Sequence, residues 1–597
     1  MQLIKDFIKR YFTHFTYFYQ RLRYRIFIAL GLSIFVGTLD GFGLAMFLPL
    51  LQMVNGEANP GAMGNLEFLL DGMKFLNIPF VLSSILFVML AFFLLKGVFK
   101  FFEGFYNVSL HRFFIRTLRH ENVDALASYS YMSFVNSDVG HIQNTLSGEV
   151  GRVVAAYRAY FKVIQASVMV CVYIFLAFLS NPQFAILVTI GGGASNLIFR
   201  IIYKKTKASS KKLVTGNSDF QGQLIQIVAF FKYFKATGLI KPYGLKLKKT
   251  ADEIEKITLK MGLYDTIIQA TREPIVVLIV IGVILLQVSV LGQSLGLIIL
   301  ALLFFYRALS SLMGLQTHWN QFLNNSGSLQ NMSAFMTHLK ANREHYGKEK
   351  LENFSHQLRL ENVYFNYTEN EYILKNISLT IKKNRSIAFV GESGSGKTTL
   401  VNILAGLLPI QSGEFTIDNI DSKKLNYPFF QKRIGYITQE PVIFSDDIFN
   451  NVTFWAEKTN ENIAKFWIAL EKASIADFVK ELPLKENTLL GNNGILVSGG
   501  QKQRFSIARE LFKDVDILIM DEATSALDSE TELNIQKNID DLKGQYTILI
   551  VAHRLATIKN VDRVILLKKG EIVGDGTFED LKENSVAFDK MVNLQEI

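Results

Sequence analysis

One ten-residue stretch restricts the backbone more than any other in this chain: Gly391-Glu392-Ser393-Gly394-Ser395-Gly396-Lys397-Thr398-Thr399-Leu400. It fits Gly-x-x-x-x-Gly-Lys-Thr, which demands a strand, a glycine-rich loop and the start of a helix in that order. The flanks comply. Ser386-Ile387-Ala388-Phe389-Val390 has the continuous apolar run of a buried strand, and Leu400-Val401-Asn402-Ile403-Leu404 continues as a helix. Glycines at 391, 394 and 396 permit unusual φ/ψ and clear room for converging N–H groups. Such a loop cradles polyphosphate oxygens, and the helix that begins near Lys397 points its positive end at them. Lys397 adds a point charge for the β- and γ-phosphates, and the Thr398 hydroxyl suits Mg²⁺. Gly391, Ser393, Gly394, Ser395, Gly396, Lys397, Thr398 and Thr399 are therefore the candidate nucleotide contacts.

The question becomes what this nucleotide site drives. A chain of 597 residues is too long for one domain. Its hydrophobic content of 49%, its charged content of only 19% and its mean hydropathy of +0.22 point away from a wholly soluble protein. Six apolar segments carry that excess: roughly 26–51, 80–95 and beyond, 163–179, 184–202, 275–291 and 295–313. Each can cross a ~30 Å hydrocarbon core as a helix at ~1.5 Å per residue, some with a few flanking polar residues. A net charge of +10 would also suit a nucleic-acid partner, but the basic residues crowd beside the apolar runs, which fits membrane topology better. No nucleic acid is expected. The single cysteine, Cys171, excludes an intrachain disulfide, and no cleavable signal peptide is evident.

The links between segments sort by charge. Residues 52–79 carry Glu57, Glu67 and Asp71 against Lys74, and Asn181-Pro182-Gln183 and Gly292-Gln293-Ser294 are uncharged turns. The links 106–151 and 203–273 are long and basic, with Arg112, Arg116 and Arg119 in the first and a run from Lys204 to Lys249 in the second. The positive-inside rule places these links and both termini in the cytoplasm. The helices read as continuing past the bilayer by roughly 20 Å or more. Turns near Ser137–His141 and Phe230–Tyr233 would be their tips, placed to dock on a cytoplasmic motor domain. Residues 1–24 alternate basic and apolar positions at helical spacing and read as an amphipathic helix on the membrane surface.

The domain plan is accordingly 1–24, an amphipathic elbow helix; 25–325, a six-helix transmembrane domain; 326–356, a polar linker; and 357–597, a nucleotide-binding domain. From Leu358 the pattern alternates as strand, and from about Ile420 strands and helices alternate as in an α/β domain. Ile517-Leu518-Ile519-Met520 is a buried-strand run ending in Asp521-Glu522. Asp521 would complete the Mg²⁺ site, and Glu522 would polarise an attacking water, help worth ~10²–10⁴-fold. Val497-Ser498-Gly499-Gly500-Gln501 precedes a helical run. Alone it would be an ordinary helix cap; here Ser498, Gly499, Gly500 and Gln501 offer a second anion-binding helix end. Two such ends in one chain suggest a nucleotide sandwiched between two subunits.

With these residues in view the chain resembles the ATP-binding cassette exporters, as a half-transporter with membrane and motor domains fused in that order. The resemblance spans nearly the whole chain and is most specific over 358–580. It implies a six-span α-helical membrane domain followed by an α/β P-loop ATPase with an antiparallel β subdomain and a helical subdomain. It makes Val497–Gln501 the signature motif, with Val where the family usually has Leu. It also implies that Tyr367 stacks on adenine and that Gln439 touches Mg²⁺ and senses the membrane domain. Asp528 would lie on a loop that crosses between subunits, and His553 would contact the γ-phosphate. The expected cofactors are ATP and Mg²⁺. The expected assembly is a homodimer, with the intact half of a heterodimer as the alternative, in a bilayer that reads as a bacterial inner membrane. One departure stands out: in Gly491-Asn492-Asn493-Gly494, Asn492 replaces the acidic residue many exporters carry.

Cargo is the open matter. Asp40 sits at membrane depth, where a carboxylate costs roughly 2.5–3.5 kcal/mol, so it must face protein or water; helix pairing and substrate contact both satisfy that. Lys96 and Lys100 could line a cavity for an anionic head group, or Lys96 could snorkel to the inner surface, ~22 Å below Val81. Arg307 is the best cavity cation. The long 52–79 link and the pattern around Asp40 resemble flippases for lipid-linked oligosaccharides and related lipid exporters. An amphipathic, lipid-like substrate is expected, a multidrug or hydrophobic-peptide exporter is the alternative, and an ATP-gated channel or regulatory membrane protein is the rival of another class.

Overall fold

The computed structural model describes residues 13–47, 49–50, 68–180, 182–290, 295–367, 371–521, 537, 540–552, 554 and 558–593. The chain divides into two units: Met1–Tyr129 with Asn136–Arg343, and Ser130–Val135 with Glu344–Ile597.

The extended elements described in the first unit are all helices. Its elements are α1 (Thr13–Leu22), α2 (Arg25–Ala45), α3 (Phe68–Phe75) and α4 (Leu82–Ala127). After α5 (Tyr131–Val135), which belongs to the second unit, come α6 (Val139–Gln143), α7 (Glu149–Ser180), α8 (Pro182–Ala229), α9 (Phe231–Ala236), α10 (Ile240–Leu285) and α11 (Leu295–Ala341). Among the described residues, four stretches are long and apolar enough to cross a membrane: Arg25–Ala45, Leu82–Ala127, Val139–Leu179 and Ile240–Leu285. The apolar runs read as segments four and six fall on α8 and α11. Helices of 46 to 48 residues, such as α4 and α8, are about 70 Å long at ~1.5 Å per residue, more than twice a hydrocarbon core.

Aliphatic and aromatic side chains of α4, among them Phe87, Leu94, Phe101 and Phe105, are exposed in this unit, as a lipid-facing surface requires. Glycine sets the close approach of α2 to α7. A Cβ at Gly41 would lie 2.0 Å from Leu176 Cδ1, and one at Gly37 would lie 2.9 Å from Met169 Sδ. Further along, Phe18, Phe114, Val153, Ala156, Tyr157, Tyr160 and Phe322 form a buried aromatic cluster shared by α1, α4, α7 and α11. The change to polar sequence near 326 does not end α11. Leu329, Met332, Phe335, Met336 and Leu339 are buried at helical spacing, so one apolar face carries the helix to Ala341.

The second unit is an α/β domain. Its strands are β1 (Gln357–Phe365), β2 (Leu374–Lys382), β3 (Ser386–Val390), β4 (Ser412–Ile417), β5 (Ile420–Asp421), β6 (Ile434–Ile437), β7 (Ile517–Asp521), β8 (Thr547–Val551), β9 (Arg563–Lys568) and β10 (Glu571–Gly576). A four-stranded antiparallel sheet runs β2-β1-β4-β5, and a six-stranded sheet runs β10-β9-β3-β8-β7-β6, parallel except at β10. The parallel strands read as unbroken apolar runs because both faces are covered. In β3, Ala388 and Val390 enter one core while Ile387 and Phe389 enter the other; β7 and β8 alternate in the same way. Each fully buried side chain of this size is worth roughly 1.5–3 kcal/mol.

The helices of this unit are α12 (Lys397–Leu404), α13 (Tyr427–Gln431), α14 (Ile448–Thr453), α15 (Asn460–Lys472), α16 (Ala476–Glu481), α17 (Gly499–Phe512), α18 (Phe578–Asn584) and α19 (Val586–Asn593). Two pieces expected elsewhere belong here. Leu351 and Phe354, from the stretch read as linker, are buried in the core beside β1. The segment of the first long link that joins this unit is α5, just before the predicted tip: Tyr131 and Met132 pack on the same core, and Tyr131 N–H donates to Glu344 Oε1 at 3.2 Å. Their apolar side chains explain why it is this turn that docks.

Candidate functional site

The register of the parallel sheet assembles the site. Phe389 of β3 pairs with Val551 of β8, and Val551 pairs with Asp521 of β7. Asp521 therefore stands level with the strand residue two positions before the loop, two strand spacings away, or roughly 10 Å. Both emerge at the carboxyl ends of parallel strands, where α/β sheets bind ligands.

The loop has the conformation its glycines predict. Gly391, Gly394 and Gly396 have φ of 146°, 80° and 100°. At Gly391 a Cβ would lie 2.2 Å from Leu567 O and 2.8 Å from Ser395 Oγ, so only glycine fits. Gly396 is the N-cap of α12, whose first residue is Lys397. Lys397 is 5% exposed, and its Nζ donates to Gly391 O and Glu392 O, each at 2.9 Å. Ser393, Gly394 and Thr398 are exposed at the loop surface. Among the described residues the buried Ser395 hydroxyl has no hydrogen-bond partner, an orphan that a phosphate oxygen would satisfy.

Around the loop, Tyr367 reaches Thr399, with Oη and Oγ1 3.4 Å apart. Tyr436 at the end of β6 donates to Asn402 Oδ1 at 3.1 Å and lies 3.5 Å from Asp521 Oδ2. Burial first, and then the Asp521 carboxylate, hold the Tyr436 hydroxyl above its ordinary range, so it stays a donor. Tyr436 and Asn402 were not singled out from the sequence; the signal was there in Tyr436 standing three residues before Gln439. Gln439 is exposed on the following loop. The donor set of Thr398, Asp521 and Gln439 has the oxygen chemistry Mg²⁺ prefers.

The second predicted anion site lies at the start of α17. Ser498 is the N-cap of a reciprocal capping box: its Oγ accepts from Gln501 N–H at 3.3 Å, and Gln501 Oε1 accepts from Ser498 N–H at 2.8 Å. By helix geometry the N–H groups of Gly499 and Gly500 have no acceptor within α17. Ser498 and Gly499 are exposed. At the other end of α17, Arg509 is 3% exposed and donates to Val442 O at 2.7 Å and Asn451 O at 2.5 Å. This ties the segment after Gln439 to the same helix. Asn492 accepts from Ser445 Oγ at 2.6 Å, a neutral link between those two regions. Glu522, Asp528 and His553 lie outside the described residues.

The predicted cargo residues sit in the first unit. Asp40 is enclosed at 2% exposure, accepting from Lys96 Nζ at 2.6 Å and from the Tyr173 hydroxyl. Lys96 thus turns inward to a carboxylate instead of snorkelling. Lys100 pairs with buried Glu103 at 2.7 Å, and Glu103 also accepts from Ser33 at 2.6 Å and Gln165 at 3.0 Å. Arg307 is exposed. The structure therefore joins Asp40 with Lys96 and brings Arg307 within electrostatic reach of Tyr173, the residue bonded to Asp40, while Lys100 pairs with Glu103 instead.

Comparisons with known proteins agree with this geometry. Residues 374–525 match the ABC transporter family. The heterocyst differentiation ATP-binding protein HepA of Nostoc sp. is 25% identical over 568 residues, covering 93% of this chain and 91% of its own. The ATP-dependent lipid A-core flippase of Nitrosococcus oceani is 28% identical over 540 residues, covering 88% and 89%. The solved structure of a bacterial Atm1-family ABC exporter with ATP bound has a TM-score of 0.80 at 22% identity, covering 96% of this chain and 99% of that one. A helical domain followed by an ATPase with these two sheets is thus the Atm1-type exporter fold. Residues 374–525 are thus an ABC transporter ATPase domain, which couples ATP hydrolysis to transport.

Proposed function

We propose that two copies of this chain form a six-plus-six-span exporter or flippase that moves an amphipathic, lipid-like substrate by alternating access. The observation that carries the reading is the pair of open half-sites on the second unit. The phosphate loop presents exposed Thr398 and the orphaned Ser395 hydroxyl, and at the start of α17 exposed Gly499 presents an amide with no acceptor in its own helix beside the exposed Ser498 hydroxyl. The relatives named as lipid A-core flippases support a lipid-like cargo. The basic links support a cytoplasmic side for both termini, and a bacterial inner membrane suits the chain.

In this reading Tyr367 stacks on adenine, Lys397 and the loop amides from Gly391 to Thr399 hold the phosphates, and Ser498–Gln501 of the second copy closes over the γ-phosphate. Thr398, Asp521 and Gln439 would hold Mg²⁺, whose charge offsets that of the β- and γ-oxygens. Glu522 orients and polarises water, His553 contacts the γ-phosphate, and Asp528 crosses to the other copy. Closure of the two motor units turns the membrane helices outward, and hydrolysis resets them.

Lys397→Ala should abolish nucleotide-driven movement of labelled lipid in proteoliposomes. Glu522→Gln should keep ATP binding while hydrolysis falls by ~10²-fold or more. Normal turnover in the Glu522 variant would remove it as the base. Hydrolysis without movement of any amphiphile, alongside ATP-dependent ion conductance, would favour a gated channel.

A further inference from the structure

The helix α7 has two opposed faces. At ~100° per residue, Val153, Ala156, Tyr157 and Tyr160 fall together on the buried side, where they join the aromatic cluster. Gly151, Ala155, Arg158 and Lys162 fall within roughly 60° of one another on the other side. That side is exposed but not flat. It lines a groove of about 320 Å³, closed on its far wall by Gln321 and Asn325 of α11. The small residues leave the space, the amides supply donors, and two cations stand one turn apart. Among the described residues neither Arg158 nor Lys162 pairs with a carboxylate. The acid nearest in sequence, Glu149, is 1% exposed and turned to Asn331 of α11, whose Nδ2 donates to Oε2 at 2.8 Å.

The way Arg158 is held is informative. Its Nε and Nη2 both meet His111 Nε2 of α4, at 3.0 and 2.6 Å. The imidazole accepts there as a neutral base, so its proton sits on Nδ1. A carboxylate at this position would fix the guanidinium equally well and cancel its charge. A histidine orients the cation and leaves the charge available to a ligand. Lys162 immediately precedes the apolar run that begins at Val163, so the paired cations stand where an amphiphile's polar end meets the edge of the hydrocarbon.

We propose that the groove between α7 and α11 binds the phosphate-bearing head group of an anionic amphiphile, with Arg158 and Lys162 as its charge partners and Gln321 and Asn325 as its amide donors. This rests on the reading of an amphipathic cargo. Two neighbouring cations match the two or more oxygens of a phosphate ester, and a volume near the lower end of small-ligand sites suits a head group more than a whole molecule.

The test uses the full chain in phosphatidylcholine nanodiscs with fluorescent dioleoyl phosphatidic acid as probe. Arg158→Gln/Lys162→Gln should weaken binding roughly 10- to 100-fold, the loss expected for charged hydrogen bonds. His111→Glu should weaken it by a similar factor while His111→Gln retains it, because only the first neutralises Arg158 in place. Unchanged affinity in the double variant, or equal affinities for His111→Glu and His111→Gln, overturns the site. Competition by soluble glycerol phosphate supports a free phosphate ester as the ligand source, and its failure to compete supports a lipid-borne one. Unfolding temperatures of the variants are compared with that of the parent, so that a misfolded variant is recognised. Binding without movement of the probe in proteoliposomes would overturn the transport reading and leave the groove standing.

Discussion

The Asp40–Lys96 pair offers the sharpest separation of a structural role from a cargo role. At 2.6 Å and an effective dielectric of ~20, the two charges attract by about 6 kcal/mol. Taking each ion from water costs several kcal/mol, so the intact pair contributes little net stability. Breaking it is another matter. Asp40→Asn leaves an ammonium facing the inside of the α2–α4–α7 contact, and Lys96→Met leaves a carboxylate there; each should cost roughly 3–5 kcal/mol. Asp40→Asn/Lys96→Met removes both charges while keeping volume and an acceptor for the Tyr173 hydroxyl, so it should recover at least ~2 kcal/mol of the summed loss. A chain of two units does not unfold in one step, so the assay is the first-order unfolding rate in detergent, with each single variant unfolding about tenfold faster or more. If the single effects simply add, the ion pair has no energetic reality. If the single variants unfold at the parental rate yet lose transport, Asp40 is a cargo contact and the helix-pairing account is wrong.

Three further outcomes follow from the ATPase unit. Gly391→Ala places a Cβ 2.2 Å from Leu567 O at a φ of 146°, so the loop must move; a shift on the order of 1 Å should cost ~10²-fold in steady-state ATP hydrolysis, and parental activity would refute the steric argument. Asn492→Asp keeps an acceptor for Ser445 Oγ and should retain cargo-stimulated hydrolysis, whereas Asn492→Ala should lower the stimulated fraction more than the basal rate; equal falls in both would show that the link does not transmit cargo occupancy. Hydrogen bonds from Asn450, Trp455 and the Asp447 amide hold the Asp446 carboxyl below its ordinary range, so its contribution to stability is present above the unfolded value near 3.8 and is lost as pH falls through the depressed folded value. Asp446→Asn should therefore flatten the acid limb of an unfolding-rate profile below about pH 4, and an unchanged limb would assign that lability to another carboxylate.

The phosphate loop was legible because its chemistry is local: a positive φ and a Cβ-free approach each need glycine, and the sequence supplies it at 391, 394 and 396. The same holds for Ser498 and Gln501, whose capping box spans only four residues. What stayed hidden depends on residues far apart in sequence. Lys96 could be read as snorkelling because nothing local says that Asp40 on another helix stands within reach. The polar stretch after 326 reads as a linker because its asparagines and serines are conspicuous. Yet Ser210 Oγ donates to Asn324 O, Gly327 N–H donates to Ser210 Oγ and Asn331 Nδ2 donates to Glu149 Oε2, so polar groups of this stretch meet neighbouring helices and α11 runs on. Arg509 reads as one more basic residue on a helix; only the fold shows its guanidinium enclosed by carbonyls of the segment after Gln439.

That last contact bears on how the two half-sites would act together. The capping box commits Ser498 Oγ as an acceptor and Gln501 N–H as a donor within α17, so what remains for a ligand at that end is almost purely donating: the Gly499 and Gly500 amides and the Ser498 hydroxyl proton. The phosphate loop is likewise built of donors and one ammonium. Two donor-rich surfaces repel unless a multiply charged anion lies between them, so the nucleotide's own charge would decide when they meet. Arg509 then determines what that meeting moves. It binds the chain from Val442 to Asn451 to the helix that carries Ser498, using three donors at once, and a buried guanidinium gives up such partners only at a cost of ~1–3 kcal/mol per abandoned group. Displacement of the helix end toward a γ-phosphate would therefore carry the segment behind Gln439 with it.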